Sequence, residues 1–260
     1  MDSRESMKIN RLLQAWPRGT VGLHAFFAQH GVSRKLAEQY RKSGWIDAVG
    51  VGAFVRRGDK VGWEGALYAI QQHAGKAVHP GGRTALELSG LAHYLQLGPR
   101  SRVDLYGPPG ERLPRWLLQH DWGVELRYFG TSLFAAEAGA DEAGVTTKTF
   151  GEFSLALSSP ERAILEALEG VPGVTAFAEA QQLMEGLPTL RPKLMQQLLE
   201  ACTSVKVKRL CLYLADMTQM PWRSALKDAR IDLGTGKRQI VAGGQLNARY
   251  GITVPRETGR

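Results

Sequence analysis

The sequence predicts an α+β fold, with a small helical module that ends in a hairpin placed ahead of a bilobed α+β body. Three observations carry that expectation. Apolar residues recur at helical spacing in some segments and alternate as in strands in others. The first 60 residues run helix, helix, glycine turn, helix, hairpin. Charge is segregated along the chain: residues 1–60 hold eleven Lys and Arg against five Asp and Glu, residues 61–180 nine against fourteen, and residues 181–260 thirteen against six. Basic ends around an acidic middle point to a polyanionic partner for the ends.

The elements of the module follow from local chemistry. Ile9, Leu12, Leu13 and Trp16 make one helical face, which Pro17-Arg-Gly19 terminates. Thr20 is placed to cap a second helix carrying Val21, Leu23, Phe26 and Phe27. After Gly31-Val32, Ser33 is the natural N-cap of a third helix running to Ser43, and Gly44 supplies its left-handed end. Trp45-Ile46 and Ala53-Phe54-Val55 read as two strands joined through Val49-Gly50-Val51-Gly52, with Trp45 and Phe54 expected to close a core with Trp16.

The body alternates. Trp63 to Gln72 and Arg83 to Leu88 are helical, while Arg102 to Tyr106, Val124 to Tyr128 and Phe153 to Leu157 alternate like strands. Ser159-Pro160 opens a helix through Glu169. Helical spacing returns from Ala176 through Leu183, Met184, Leu194, Leu198 and Leu199 to Leu214, and short strands follow at Arg238 to Val241 and Gly251 to Val254. The expected division is 1–60, 61–175 and 176–260.

Helix, glycine turn, helix and hairpin is the order of a winged helix-turn-helix. In the third helix Leu36, Ala37 and Tyr40 share a buried face against Phe26 and Phe27, which leaves Arg34, Lys35, Gln39, Arg41 and Lys42 pointing outward around Glu38. Arginine and lysine reach guanine edges or phosphates, and glutamine pairs adenine. Arg56, Arg57 and Lys60 stand where a wing meets the DNA backbone. A basic amphipathic helix alone is satisfied by solvent; the helix, turn, cap and wing together make double-stranded DNA the expected partner.

The motifs extend further. Trp16-Pro-x-Gly-Thr20, Gly31-Val-Ser-Arg34, Lys42-Ser-Gly-Trp45 and Gly50-x-Gly-Ala-Phe54 resemble the N-terminal domain of the AbiEi family antitoxins. The resemblance continues through Gly65-Ala-Leu-Tyr-Ala69, Gly82-Arg-Thr-Ala-Leu-Glu-Leu88, Gly90-Leu-Ala-His-Tyr94, Leu113-Pro-x-Trp116 and Ser158-Ser-Pro-Glu-Arg-Ala-Ile-Leu165. It ends on Met184-Glu-Gly186, Val205-Lys-Val-Lys-Arg-Leu210, Ile231-Asp-Leu-Gly234, Gly236-Lys-Arg238 and Ile252-Thr-Val-Pro-Arg256. It implies an autorepressor that binds inverted repeats in its own promoter. It also implies a C-terminal region that counteracts a nucleotidyltransferase-like toxin encoded beside it, in a type IV system linked to abortive infection by phage. A stable complex with that toxin is not required, and members also occur as orphan regulators.

Other chemistries find little support. Gly234-Thr-Gly-Lys-Arg238 lacks the spacing and the hydroxyl of a phosphate loop. Asp104 with Glu125 and Arg127 is a sparse match to a nuclease metal site. His24, His30, His73, His79, His93 and His120 show no metal-ligand spacing, and Cys202 and Cys211 fit buried thiols on helices. No cofactor or metal is expected, and the function expected is regulation; the alternative is a nucleic-acid-processing enzyme delivered by the N-terminal module. Lys206, Lys208 and Arg209 flank an apolar stripe of Val207, Leu210, Cys211 and Leu214, so their heads are candidates for the antitoxin's partner contact, with RNA, nucleotide or an acidic partner, or for pairing with the acidic middle. The longest clean apolar run, Leu210 to Ala215, is far short of a membrane span, and Met1 to Ser6 has no leader-like apolar stretch, so a cytoplasmic protein is expected.

Overall fold

In the computed structural model, which describes residues 3–92, 101–134 and 143–256, three apolar cores organise the chain. The class is α+β, as expected. The first core lies under helices α1 (Ser3–Ala15), α2 (His24–Gln29) and α3 (Arg34–Lys42) and a sheet of β1 (Gly22–Leu23), β2 (Ile46–Gly50) and β3 (Ala53–Arg56), ordered β1-β3-β2 and antiparallel. Ile9, Leu12, Trp16, Phe27, Tyr40 and Ile46 fill it. Two local expectations are corrected. Thr20 does not cap α2; its hydroxyl donates to the Pro17 carbonyl at 2.7 Å, and the next residues join the sheet, where Gly22 pairs with Phe54. Gly22 fits there because a β-carbon would come within 2.7 Å of Phe27 and 2.8 Å of Trp16. Trp45 is 42% exposed, and Ile46 takes the inward place beside Trp16, since successive strand residues face opposite sides.

The second core holds α4 (Trp63–Tyr68), which runs on into a π turn over Ala69–His73, and a sheet of β4 (His79–Pro80), β5 (Ser101–Gly107) and β6 (Val124–Gly130). Strand β5 is central, antiparallel to β4 and parallel to β6. After α5 (Gly82–Leu88) and α6 (Arg115–Gln119), a hairpin of β7 (Val145–Phe150) and β8 (Phe153–Ser158) closes this part. The Gln71 side chain lies along β8, donating to the Ala156 carbonyl at 2.9 Å and accepting the Ala156 N–H at 2.9 Å.

No break in packing marks residue 60. Val21 donates its N–H to the Gly65 carbonyl at 3.1 Å, Gly19 donates to the Asp59 carboxylate at 3.0 Å, and Val21 and Ala53 lie in the second core. Gly65 permits this approach: a β-carbon there would stand 1.8 Å from the Gly19 carbonyl oxygen.

The third core surrounds α7 (Pro160–Glu169), with α8 (Phe177–Glu185), α9 (Pro192–Ala201), α10 (Val205–Met217) and α5 packed around it. Pro160 and Pro192 sit in the first turns of their helices, where a missing N–H costs nothing. Two 3₁₀ turns, Pro221–Ala225 and Asp228–Arg230, lead to a small sheet of β9 (Arg238–Gln239), β10 (Gln245–Asn247) and β11 (Ile252–Val254). The seam expected at 175 therefore runs through a continuous core in which Ala163, Ile164, Leu165 and Leu168 meet Leu198, Leu210 and Leu214.

Candidate nucleic-acid interface

Helix α3 is fixed at both ends. The Ser33 hydroxyl accepts the Leu36 N–H at 3.3 Å, and Gly31 (φ +73°) and Gly44 (φ +74°) make the turns before and after it. Leu36, Ala37 and Tyr40 are buried with Phe26, Phe27 and Val32. Arg34, Lys35, Gln39, Arg41 and Lys42 are exposed, and the side chains of Lys35, Gln39 and Lys42 have no partner among the described residues. Arg41 is engaged by Glu38 at 2.6 and 2.9 Å, and that bond holds the Glu38 carboxyl below its ordinary range. Burial, and then the Arg34 charge, push the pKa of His24 down.

The hairpin β2–β3 forms the wing. Val51 at its tip is fully exposed, and Gly52 turns it with φ +75°. Gly50 lies against α6, where a β-carbon would meet Trp116 Cβ at 2.6 Å, so the body braces the wing from one side. Arg57 is exposed and crosses from the wing to the end of α3, its Nε 4.0 Å from Asp47; Lys60 is exposed as well. Arg56 is different. Its guanidinium sits 5.7 Å from the Trp16 ring centroid and donates to the Leu13 carbonyl, because residue 56 falls on the inward-facing parity of β3. This corrects its expected place among the DNA-facing residues.

The second basic set is also placed inward. Lys206 Nζ donates to the carbonyls of Glu169 (2.7 Å) and Val171 (2.8 Å), and Lys208 Nζ to that of Asp232 (3.0 Å). Arg209, 5% exposed, donates to four carbonyls: Leu233 at 2.8 Å, Gly234 at 3.0 Å, Gly236 at 2.6 Å and Gly251 at 3.2 Å. The expectation of a partner-binding patch here is corrected, as is the alternative of pairing with acidic side chains. These heads tie down the ends of helices and the tail by satisfying backbone acceptors. The Arg209 contact runs through turns in which Gly234, Gly236 and Gly251 adopt positive φ. It also removes the phosphate-loop reading, since the segment Gly234 to Arg238 offers carbonyls to Arg209 where a phosphate needs N–H donors.

Comparison with known families decides the wider question. A family model described as the AbiEi antitoxin N-terminal domain of a transcriptional regulator matches residues 5–97, and one described as the AbiEi antitoxin transcriptional regulator of a type IV toxin–antitoxin system matches residues 100–255. The chain belongs to the AbiEi family. It is therefore a transcriptional regulator and antitoxin of the type IV class, as the motifs implied. No curated protein matches it. Its fold is similar to the crystal structure of the RV2827C protein from Mycobacterium tuberculosis, at 15% identity and a TM-score of 0.56, over 97% of this chain and 91% of that one.

The remaining candidates in this AbiEi chain have structural partners. Asp104 is held by Arg127 at 2.7 Å, and Glu125 by Arg102 at 3.4 Å. Among the described residues no three His, Cys, Asp or Glu side chains are grouped to hold a metal ion; His93 and Tyr94 lie outside those residues. Burial pushes the Cys202 thiol up to about 11 and the Cys211 thiol up to about 12, which removes thiolate chemistry at neutral pH. No helix among the described residues is long and apolar enough to cross a membrane.

Proposed function

We propose that this AbiEi chain represses its own operon by laying α3 into the major groove of inverted repeats in the promoter. Lys35, Gln39 and Arg34 reach base edges, Lys42 and Arg41 reach phosphates, and Arg57 and Lys60 meet the backbone beside the wing. One observation carries this reading: Lys35, Gln39 and Lys42 are solvent-facing, and unpaired among the described residues, on a helix whose other face is packed. Arg56 supports the module and not the contact. The antitoxin role is proposed to act against a nucleotidyltransferase-like toxin, without a stable complex, in the cytoplasm and without catalysis by this chain. The ion pairs that hold Asp104 and Glu125 support the last point.

Footprinting of the full chain on its own promoter tests the DNA reading. Lys35→Ala or Gln39→Ala should weaken the specific site by ~1–3 kcal/mol while leaving non-specific binding in place. An unchanged footprint in both variants moves the interface off α3. The Lys35→Ala/Gln39→Ala double variant should lose repression yet protect cells that express the toxin at a fixed level. Loss of protection as well would make repression itself the protective act. Removing residues 1–60 is the wrong tool, because Val21 and Ala53 belong to the second core.

A further inference from the structure

A cavity of about 860 Å³ opens at the carboxyl ends of the parallel strands β5 and β6, where Gly107-Pro108-Pro109 and Thr131-Ser132 leave the sheet. That edge of an α/β arrangement is where ligands are commonly held, and the volume lies in the range that encloses a small organic molecule.

The charge of the lining is one-sided. Lys76, His79 and Arg162 line the cavity, and no Asp or Glu does so among the described residues, although residues 61–180 as a whole carry an excess of carboxylates. One matching acid stands behind the wall. Glu166 is completely buried and accepts from Arg162 Nε (2.8 Å), Ser158 Oγ (2.7 Å) and the Gly82 N–H (3.0 Å), with His79 Nε2 at 3.4 Å. It fixes two of the cationic or titratable side chains at the cavity surface. Glu111 occupies one N–H of Lys76, and an ammonium has three. The other walls are apolar: Pro108 and Pro109 on one side, Phe134, Val145 and Ala156 on another, with the Phe134 ring 4.6 Å from the Arg162 guanidinium carbon. A void left by imperfect packing is lined by apolar groups; one lined by anchored cations has a chemical bias.

We propose that this cavity binds a small organic anion, with its apolar body against Pro108, Phe134 and Val145 and its acidic group toward Lys76 and His79. The site is separate from the DNA-facing helix and does not rest on the DNA reading.

The test uses the full chain and 8-anilinonaphthalene-1-sulfonate, an apolar anion whose fluorescence reports a dry site. One saturable site per chain is expected, and the neutral N-phenyl-1-naphthylamine should bind more weakly. Lys76→Met should weaken the sulfonate about tenfold, the scale of one charge-assisted hydrogen bond, and leave the neutral probe unchanged. Ala156→Phe, which fills the cavity, should abolish binding of both probes while the melting temperature holds or rises; Val145→Trp takes its place if the first variant does not fold. Absence of a saturable site, or equal sulfonate binding by the filled variant, overturns the proposal. Equal affinity for both probes in the natural chain overturns the anionic part.

Discussion

Replacing Arg209 with alanine separates a structural brace from a partner-binding residue. The guanidinium donates to the carbonyls of Leu233, Gly234, Gly236 and Gly251 over 2.6–3.2 Å, and its β-carbon end belongs to the buried side of α10. Each buried acceptor that loses its donor costs ~1–3 kcal/mol. Three of these carbonyls lie in a turn that water can reach, so the low end applies to them, and contributions from one side chain do not add in full. The expected loss is therefore ~3–5 kcal/mol in urea unfolding, with faster proteolysis within residues 232–256 at urea concentrations below the midpoint. Arg209→Lys should recover roughly half, since a single ammonium cannot span the four acceptors. A surface residue that only touches a partner would change stability by less than ~0.5 kcal/mol. A change in unfolding free energy below ~1 kcal/mol, with protection against the toxin lost, would refute the brace and restore the partner reading.

Gly65→Ala should destabilise by at least ~2 kcal/mol, although alanine is the better helix former by ~1 kcal/mol, because the new β-carbon would stand 1.8 Å from the Gly19 carbonyl oxygen; equilibrium unfolding measures the sign. Arg57→Ala should leave stability within ~0.5 kcal/mol and shallow the salt dependence of DNA binding by about one unit, whereas Arg56→Met should cost ~1–2 kcal/mol through the lost Leu13 bond and Trp16 contact. Stability should fall in acid through two groups. Burial alone would raise Glu161, but the bonds from Arg191 outweigh it and hold the carboxyl at about 2, so its contribution is full above the ordinary value of 4.5 and is lost as pH falls toward 2. His73, stacked on Phe26 at 4.2 Å, is pushed down to about 4 by burial and then by His30; its neutral form is favoured, so its contribution is full above 6.5 and drains away between 6.5 and 4. Urea midpoints across pH 2–8 should show both limbs; Glu161→Gln should flatten the lower limb and His73→Phe the upper.

What could be read in advance was local. The Ser33 cap, the glycine turn at Gly31, the left-handed Gly44, the buried Leu36-Ala37-Tyr40 face and the proline at the start of α7 depend on neighbours within a few residues. The hairpin parity was read one residue out, which exchanged Trp45 for Ile46 in the core. Gly22-Leu23 has the periodicity of a helix start, but pairing with Ala53 and Phe54, thirty residues on, makes it strand. Strand β7 had a usable signal in Val145-Thr-Thr-Lys-Thr-Phe150, rich in β-branched residues and followed by the positive-φ Gly151. The destination of Lys206, Lys208 and Arg209 was not legible. Their partners are backbone carbonyls 24 to 42 residues away from the lysine and arginine of the helix's second turn, or 35 to 37 residues back from Lys206, and a carbonyl carries no signature in composition or charge.

The Gln71 amide on β8 bears on how the chain stays apart from its copies. A two-stranded hairpin has an open side along each strand, and an open side presents N–H and C=O groups that a second chain can zip onto. At Ala156, in the middle of β8, one side-chain amide takes up both the N–H and the C=O, standing in for a residue of a neighbouring strand. The run Phe153-Ser-Leu-Ala-Leu157 is short, apolar and uncharged, the composition that seeds cross-β stacking when exposed. Gln71 thus works as a stopper on this edge of β8. A leucine there would leave the Ala156 N–H and C=O and the Val78 C=O without the amide, so both a lower melting temperature and turbidity on storage are expected.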